Sequence, residues 1–288
     1  MNRLDLQPFD DDAALDAIAD NRALASYPRL KRHVRALKTA YAQYLHVDGN
    51  AREIAPVKLP KVTAKFLSGH FNSPPQAVRE IGDIRRKTGS RTCPMCGSLH
   101  SGTLDHVMDR ANHPAFSIFL PNLVPACKCN SKRSKALVGQ NPGERILHPY
   151  FDDVLRERIV SASFSDLGPA PHIETRIILE TNNENYSAAV FHHDNILMRT
   201  DIHSYLIDQW CKLVQMPDTV ASDLKINPTT RDDLFAILYD ERDRIDRSRG
   251  SKNNWDSVFI SGLLDEHVLD WLFEKFSHPG RLSNSSLL

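Results

Sequence analysis

The sequence predicts an α+β protein that is mainly α, with a small metal-binding module at its centre. Three observations predict it. Apolar residues recur at helical spacing through much of both flanks, and short apolar runs suited to strands are few. Four of the five cysteines fall in one short stretch as two close pairs, Cys93 with Cys96 and Cys127 with Cys129. At 288 residues the chain can bury a sizeable core and is long for one minimal domain.

Taken in order, residues 12–25 and 28–46 read as helices. In the second, Leu30, Val34, Leu37, Tyr41 and Leu45 share a face, while Arg29, Lys31, Arg32, Arg35 and Lys38 fall elsewhere. A proline-bearing connection follows (Pro56, Pro60, Pro74, Pro75), and residues 77–89 read as a helix leading into the cysteines. Residues 99–135 read as strand, long loop, strand, helix. Beyond them, residues 151–164 and 172–180 suggest strands, and 187–191 a further one. Residues 201–216, 232–245 and 263–276 suggest amphipathic helices. The expected division is a helical region over 1–84, a central module over 85–150, an α-rich region with a few strands over 151–280, and a disordered tail over 281–288.

Composition narrows the class. No apolar run approaches the ~20 residues that cross a bilayer, and the opening residues are too acidic for a secretory signal, so a cytoplasmic protein without membrane contact is expected. The 36 basic and 36 acidic residues cancel, which argues against a uniformly basic nucleic-acid binder. The bases nonetheless gather at Arg85, Arg86, Lys87 and Arg91, and again at Lys128, Lys132, Arg133 and Lys135, on both sides of the cysteine segment. A nucleic acid would lie there.

In a cytosolic chain such paired spacing reads as zinc rather than disulfides. Cys93-Pro-Met-Cys96-Gly97 is a zinc-knuckle turn, with Gly97 letting the backbone double back so that both sulfurs face one ion. Cys127 and Cys129 bring the second pair. Only Lys128 separates them, so the site closes on all four cysteines, with His100, or in an unpaired geometry. Between the pairs stand Asp105-His106, Asn122 and Asn130. One carboxylate and one amide oxygen are a plausible hard-oxygen pair for Mg2+, and a neutral imidazole beside them can take a proton from water near pH 7. Cys211 reads as a buried apolar residue, as do Trp210, Trp255 and Trp271 as core. His192-His193-Asp194 reads as a turn cap in preference to a metal cluster, and His148 as packed or as a neighbour of the site.

These residues resemble the HNH endonuclease family. The resemblance rests on the bracketing cysteines, Asp105-His106, Arg110, His113-Pro114, Phe116, Asn122-Leu123-Val124-Pro125 and Cys129-Asn130, with Lys132 and Lys135 near the usual lysine. Residues 144–152 and 253–264 are more loosely similar to one bacterial subgroup, some of whose members accompany ATPase partners in anti-phage defence. The resemblance implies a ββα-metal core in an HNN variant. Asp105 and Asn130 would hold Mg2+ (or Mn2+), His106 would be the general base, and Asn122 would orient the His106 ring and brace the loop. Arg110, Lys128, Lys132, Arg133 and Lys135 would contact DNA, and the four cysteines would bind structural zinc. A further expectation, which the zero net charge fits, is a nuclease inactive alone and licensed by an ATPase or sensor. The competing expectation is a zinc-stabilised nucleic-acid or protein-binding module that does not cut.

Overall fold

The computed structural model describes residues 1–86, 92–133 and 136–288. It is α+β and mainly α, with ten α-helices and two small two-stranded sheets among these residues. The predicted positions Lys87, Arg91 and Lys135 lie outside the described residues.

Four helices precede the cysteines: α1 (Asp11–Asp20), α2 (Val34–His46), α3 (Lys61–Asn72) and α4 (Glu80–Arg86). Asp10 starts α1 by accepting the Ala13 amide at 2.8 Å. α3 was expected to be connection. Pro60 in fact sits at its N-cap and Pro74-Pro75 follow its end, so the prolines bracket a helix instead of replacing one. It buries Leu67 and Phe71, one turn apart on one face.

At the centre, β1 (Thr103–His106) pairs antiparallel with β2 (Leu123–Ala126), placing Asp105 opposite Val124 and His106 opposite Leu123. One helical turn, α5 (Cys129–Lys132), follows directly. This hairpin divides two hydrophobic cores. Leu104 and Leu123 pack with the N-terminal helices, Tyr41, Tyr44, Phe116 and Phe119; Val124, Ala126 and the cysteines pack with the C-terminal half. Because neighbouring strand residues face opposite sides, β2 is apolar on both and reads Leu-Val-Pro-Ala without polar alternation.

In the C-terminal half, β3 (Val160–Ser165) pairs with β4 (His172–Ile177). Around them stand α6 (Tyr186–Asn195), α7 (Ile202–Gln215), α8 (Arg231–Arg249), α9 (Trp255–Leu263) and α10 (Glu266–Phe276). The expected strand over 151–164 begins only at Val160; before it Asp153–Arg156 forms a 3-10 turn. Residues 187–191 are helical in α6, because a short apolar run alone does not distinguish strand from helix. The tail expected to be disordered is docked: Leu287 is buried and its amide donates to the Val214 carbonyl at 2.8 Å. Trp210 and Trp255 are buried, whereas Trp271 and Cys211 are half-exposed. No helix among the described residues is long and apolar enough to cross a membrane.

Candidate metal centre and adjoining cavity

Among the described residues, the sulfurs of Cys93, Cys96, Cys127 and Cys129 lie within 4.8 Å of one another and are the one metal-capable His/Cys/Asp/Glu cluster. Cys93 to Cys129 is 3.7 Å and Cys96 to Cys127 is 3.4 Å. Zn–S bonds of 2.3 Å put tetrahedral sulfur edges at about 3.8 Å, so the quartet is close to the size of a zinc tetrahedron and far too wide for disulfides. His100 is exposed and outside it. Backbone amides support the sulfurs: Cys127 donates to Cys93 Sγ and Cys129 to Cys127 Sγ, both at 3.3 Å. Hydrogen bonding from Cys129, Cys93 and Cys96 drives the Cys127 thiol well down, while Cys127 drives Cys129 up. Four such sulfurs cannot all ionise without a cation between them, and soft sulfur donors suit zinc.

The knuckle backbone is held from the far half of the chain. His192 Nε2 donates to the Met95 carbonyl at 2.6 Å, Trp255 Nε1 to Cys96 O at 2.9 Å, and the Trp255 amide to Gly97 O at 3.1 Å. Three consecutive carbonyls are thus fixed by α6 and by the start of α9. His192 is in a helix and caps no turn; its neighbour His193 bonds Thr175 at 2.8 Å. The purified protein should carry about one zinc per chain by elemental analysis, and Cys129→Ser should lose both metal and solubility. Well-folded, zinc-free wild-type protein would contradict this assignment.

Beside the quartet, β1 delivers Asp105 and His106, and α5 delivers Asn130, to one cavity of about 670 Å³ that Ser68, Asp109, Arg110 and Arg133 also line. The Asp105 carboxylate accepts the His106 amide at 2.8 Å. His106 is buried, and its Nε2 is 2.9 Å from the Ser117 carbonyl. A carbonyl only accepts, so Nε2 carries the proton and Nδ1 is left as the basic nitrogen. Burial lowers its pKa to about 4; the Ser117 bond and Asp105 oppose this, and Arg110 and Arg85 add to it. The ring packs on Phe71 of α3, centroids 4.3 Å apart. The Arg85 and Arg110 guanidinium groups also lie over Phe71, at 4.1 and 4.7 Å, and Arg110 donates to Asn72 Oδ1 at 3.0 Å.

Asn130 Nδ2 donates to the His106 carbonyl at 2.8 Å, while its Oδ1 is buried without a hydrogen-bond partner. Two expected roles need correction. Asn122 does not touch the His106 ring: its Oδ1 accepts from Met108 N (2.7 Å) and Tyr44 Oη (3.1 Å), and its Nδ2 donates to Met108 O and Phe116 O. All four of its side-chain bonds go to the loop wall and to Tyr44, so it braces the loop as expected, while the Ser117 carbonyl orients the imidazole instead. Arg133 is not a surface base. It is 3% exposed, holds the His106 and Val107 carbonyls through Nη2, and leaves Nη1 buried and unpartnered. Lys128 and Lys132 are exposed, with Lys132 3.6 Å from Asp201.

Sequence reasoning missed Phe71, Tyr44 and the Ser117 carbonyl. Tyr44 Oη is 2.8 Å from Nε2 of His148, whose Nδ1 accepts the Tyr150 amide. The ring therefore donates to Tyr44, which donates to Asn122. Protonating His148 Nδ1 would break that order, and protonating His192 Nδ1 would oppose the Leu147 amide it accepts at 3.0 Å. Burial lowers these two pKa values to about 3 and about 4. A histidine whose folded pKa is depressed keeps its full stabilising effect above the unfolded value near ~6.5 and loses it as pH falls toward the folded pKa. The urea midpoint of wild type relative to His148→Gln should therefore be constant from pH 8 to 7 and fall below about 6.5. This difference cancels the buried Met1 amino group and Asp11, which titrate in the same range. A difference that stays constant down to pH 5 would contradict the neutral assignment.

No family model matches the chain, and no solved structure matches it. Residues amounting to 35% of the chain are 36% identical, over 104 positions, to protein ea31 of Escherichia phage lambda, and the match spans 35% of that relative's length.

Proposed function

We propose that the chain is a divalent-metal-dependent endonuclease of the HNH kind that hydrolyses DNA phosphodiester bonds at Asp105, His106 and Asn130. The observation that carries this reading is Asn130 Oδ1, buried and unpartnered in the cavity that Asp105 and His106 line. Leaving a buried acceptor unsatisfied costs about 1–3 kcal/mol, and a cation shared with the Asp105 carboxylate would offset it. This oxygen donor set fits Mg2+ or Mn2+. Once bound, such a cation supplies positive charge against the phosphate.

The remaining work falls to the chain's own groups. His106 takes a proton from the attacking water through Nδ1. Its depressed pKa keeps it neutral at pH 7, and phosphate charge brought into the cavity raises that pKa toward the useful range. Water oxygen bonds to phosphorus as the P–O3′ bond breaks, and the departing 3′ oxygen takes a proton from solvent, giving 5′-phosphate and 3′-hydroxyl ends. Arg133 Nη1, a buried donor without an acceptor, and Arg110 bind phosphate oxygens. Lys128 and Lys132 contact the flanking backbone without reading sequence. The strand–strand–helix order of β1, β2 and α5 supports the same reading, and zinc is structural in it. Zero net charge fits weak intrinsic DNA affinity, hence cleavage licensed by an ATPase or sensor partner. Supercoiled plasmid should be nicked or linearised when magnesium is supplied and stay intact when it is omitted; inertness with every divalent cation, on single- and double-stranded DNA alike, would remove the proposal.

A further inference from the structure

A second concavity, of about 630 Å³, opens among the N-terminal helices and is lined by Pro8, Phe9, Asp10, Asp11, Asp12, Tyr41, Leu45 and Phe119. Its floor is aromatic: Tyr41 and Phe119 stack with centroids 4.1 Å apart and planes 16° from parallel. Its rim is acidic, from three consecutive aspartates. Among the described residues none of the three is in an ion pair, and the nearby Lys38 is committed to Asp16 at 2.6 Å. Tyr41 is 3% exposed, feels the charge of Asp11 and Asp12, and has a hydroxyl with no hydrogen-bond partner.

We infer that this pocket receives the arginine side chain of a protein partner. A guanidinium is flat enough to enter over the edges of these two rings, which stack on each other and are nearly buried, while its forked N–H groups reach the rim carboxylates and, beneath them, the phenol oxygen. That single group would meet both things the pocket leaves unmet: carboxylates that have backbone amides and the α1 N-terminus but no cationic side chain in an ion pair among the described residues, and an idle hydroxyl. Asp11 already gives Oδ1 to the Leu120 amide at 2.9 Å, so it is held in place. Burial, with smaller contributions from Asp12 and Asp10 and against the Leu120 amide, pushes its carboxyl up to about 7, as suits a carboxylate without its counter-ion. A bare metal ion does not suit the place, because the three carboxylates do not converge on one point. The exposed Leu45 at the mouth offers apolar area that a small free cation would leave uncovered and a protein surface would bury. The inference is independent of the cleavage reaction.

The test is an NMR titration of the full chain with acetyl-Gly-Arg-Gly-amide, beside the matched lysine peptide and spermidine. Expected is a saturable shift confined to Tyr41, Phe119 and the Leu120 amide. Asp11→Asn, which still accepts the Leu120 amide, should weaken binding at least about tenfold. Tyr41→Phe, which loses no existing hydrogen bond, should weaken it a few-fold. Absence of a saturable shift up to about 10 mM peptide overturns the inference. So does unchanged affinity in Asp11→Asn, or equal affinity for the lysine peptide or spermidine, either of which would make the pocket a general cation trap.

Discussion

Replacing His106 should nearly stop cleavage while leaving the metal quartet intact. A positioned general base contributes roughly 10²–10⁴ in rate, and among the described residues no other imidazole lines the cavity. His106→Ala carries a second effect, because the ring is 3% exposed and packs on Phe71, so some stability goes with it. His106→Gln separates the two. Its amide can still donate to the Ser117 carbonyl and fill much of the space, yet it cannot accept the proton. Both variants should show the same loss of rate, full zinc content and DNA affinity within about twofold of wild type. Substantial cleavage by His106→Gln would show that the imidazole is packing and not chemistry.

Gly97→Ala should be the costliest glycine-to-alanine exchange among the described residues. Gly97 has φ +78°, and an added Cβ would stand 2.1 Å from the Asn253 carbonyl and 2.6 Å from the Met1 nitrogen. Both obstacles are backbone, and both are fixed: the Met1 amino group donates to Asn253 O at 2.8 Å, and Asn253 Oδ1 accepts the Ile159 amide at 2.7 Å. Relief would move the knuckle off Trp255 and disturb the sulfurs. A loss on the order of 4 kcal/mol is expected, a large share of the roughly 5–15 kcal/mol typical of a domain. That corresponds to a melting temperature lower by roughly 10 °C, with zinc released more readily to a chelator. Gly102→Ala, whose Cβ would meet nothing within 4 Å, is the control and should be neutral. Equal behaviour of the two variants would contradict the packed knuckle.

What was legible in the sequence was local chemistry. Two cysteine pairs flanking Asp105-His106 and Asn130 announce themselves by residue type and spacing, and the structure brings those residues to one quartet and one cavity. Period and length also placed α2, α7 and α10 closely, and β1 and β2 as short strands around a long loop. The misses are tertiary. Asn122 meets Tyr44 across 78 residues and Tyr44 meets His148 across 104, so no window of sequence displays the chain of bonds that fixes the loop. Phe71 could not be assigned to the site because α3 was hidden between prolines. Arg133 resembles its basic neighbours in sequence, yet the turn of α5 aims it inward to the β1 carbonyls. The Gly97–Asn253 contact is likewise invisible until the two halves of the chain are packed together.

The most direct test of the central claim, that Asp105 and Asn130 hold a divalent cation beside the general base His106, is plasmid cleavage followed across a magnesium titration. Wild type, Asp105→Ala and His106→Gln would be compared at constant ionic strength. The account predicts that Asp105→Ala cuts poorly at low magnesium and recovers in part as magnesium rises, because a remaining ligand set still offers Asn130 Oδ1. It predicts no recovery for His106→Gln at any concentration. Wild-type rates in Asp105→Ala at low magnesium, or rescue of His106→Gln by metal alone, would contradict it.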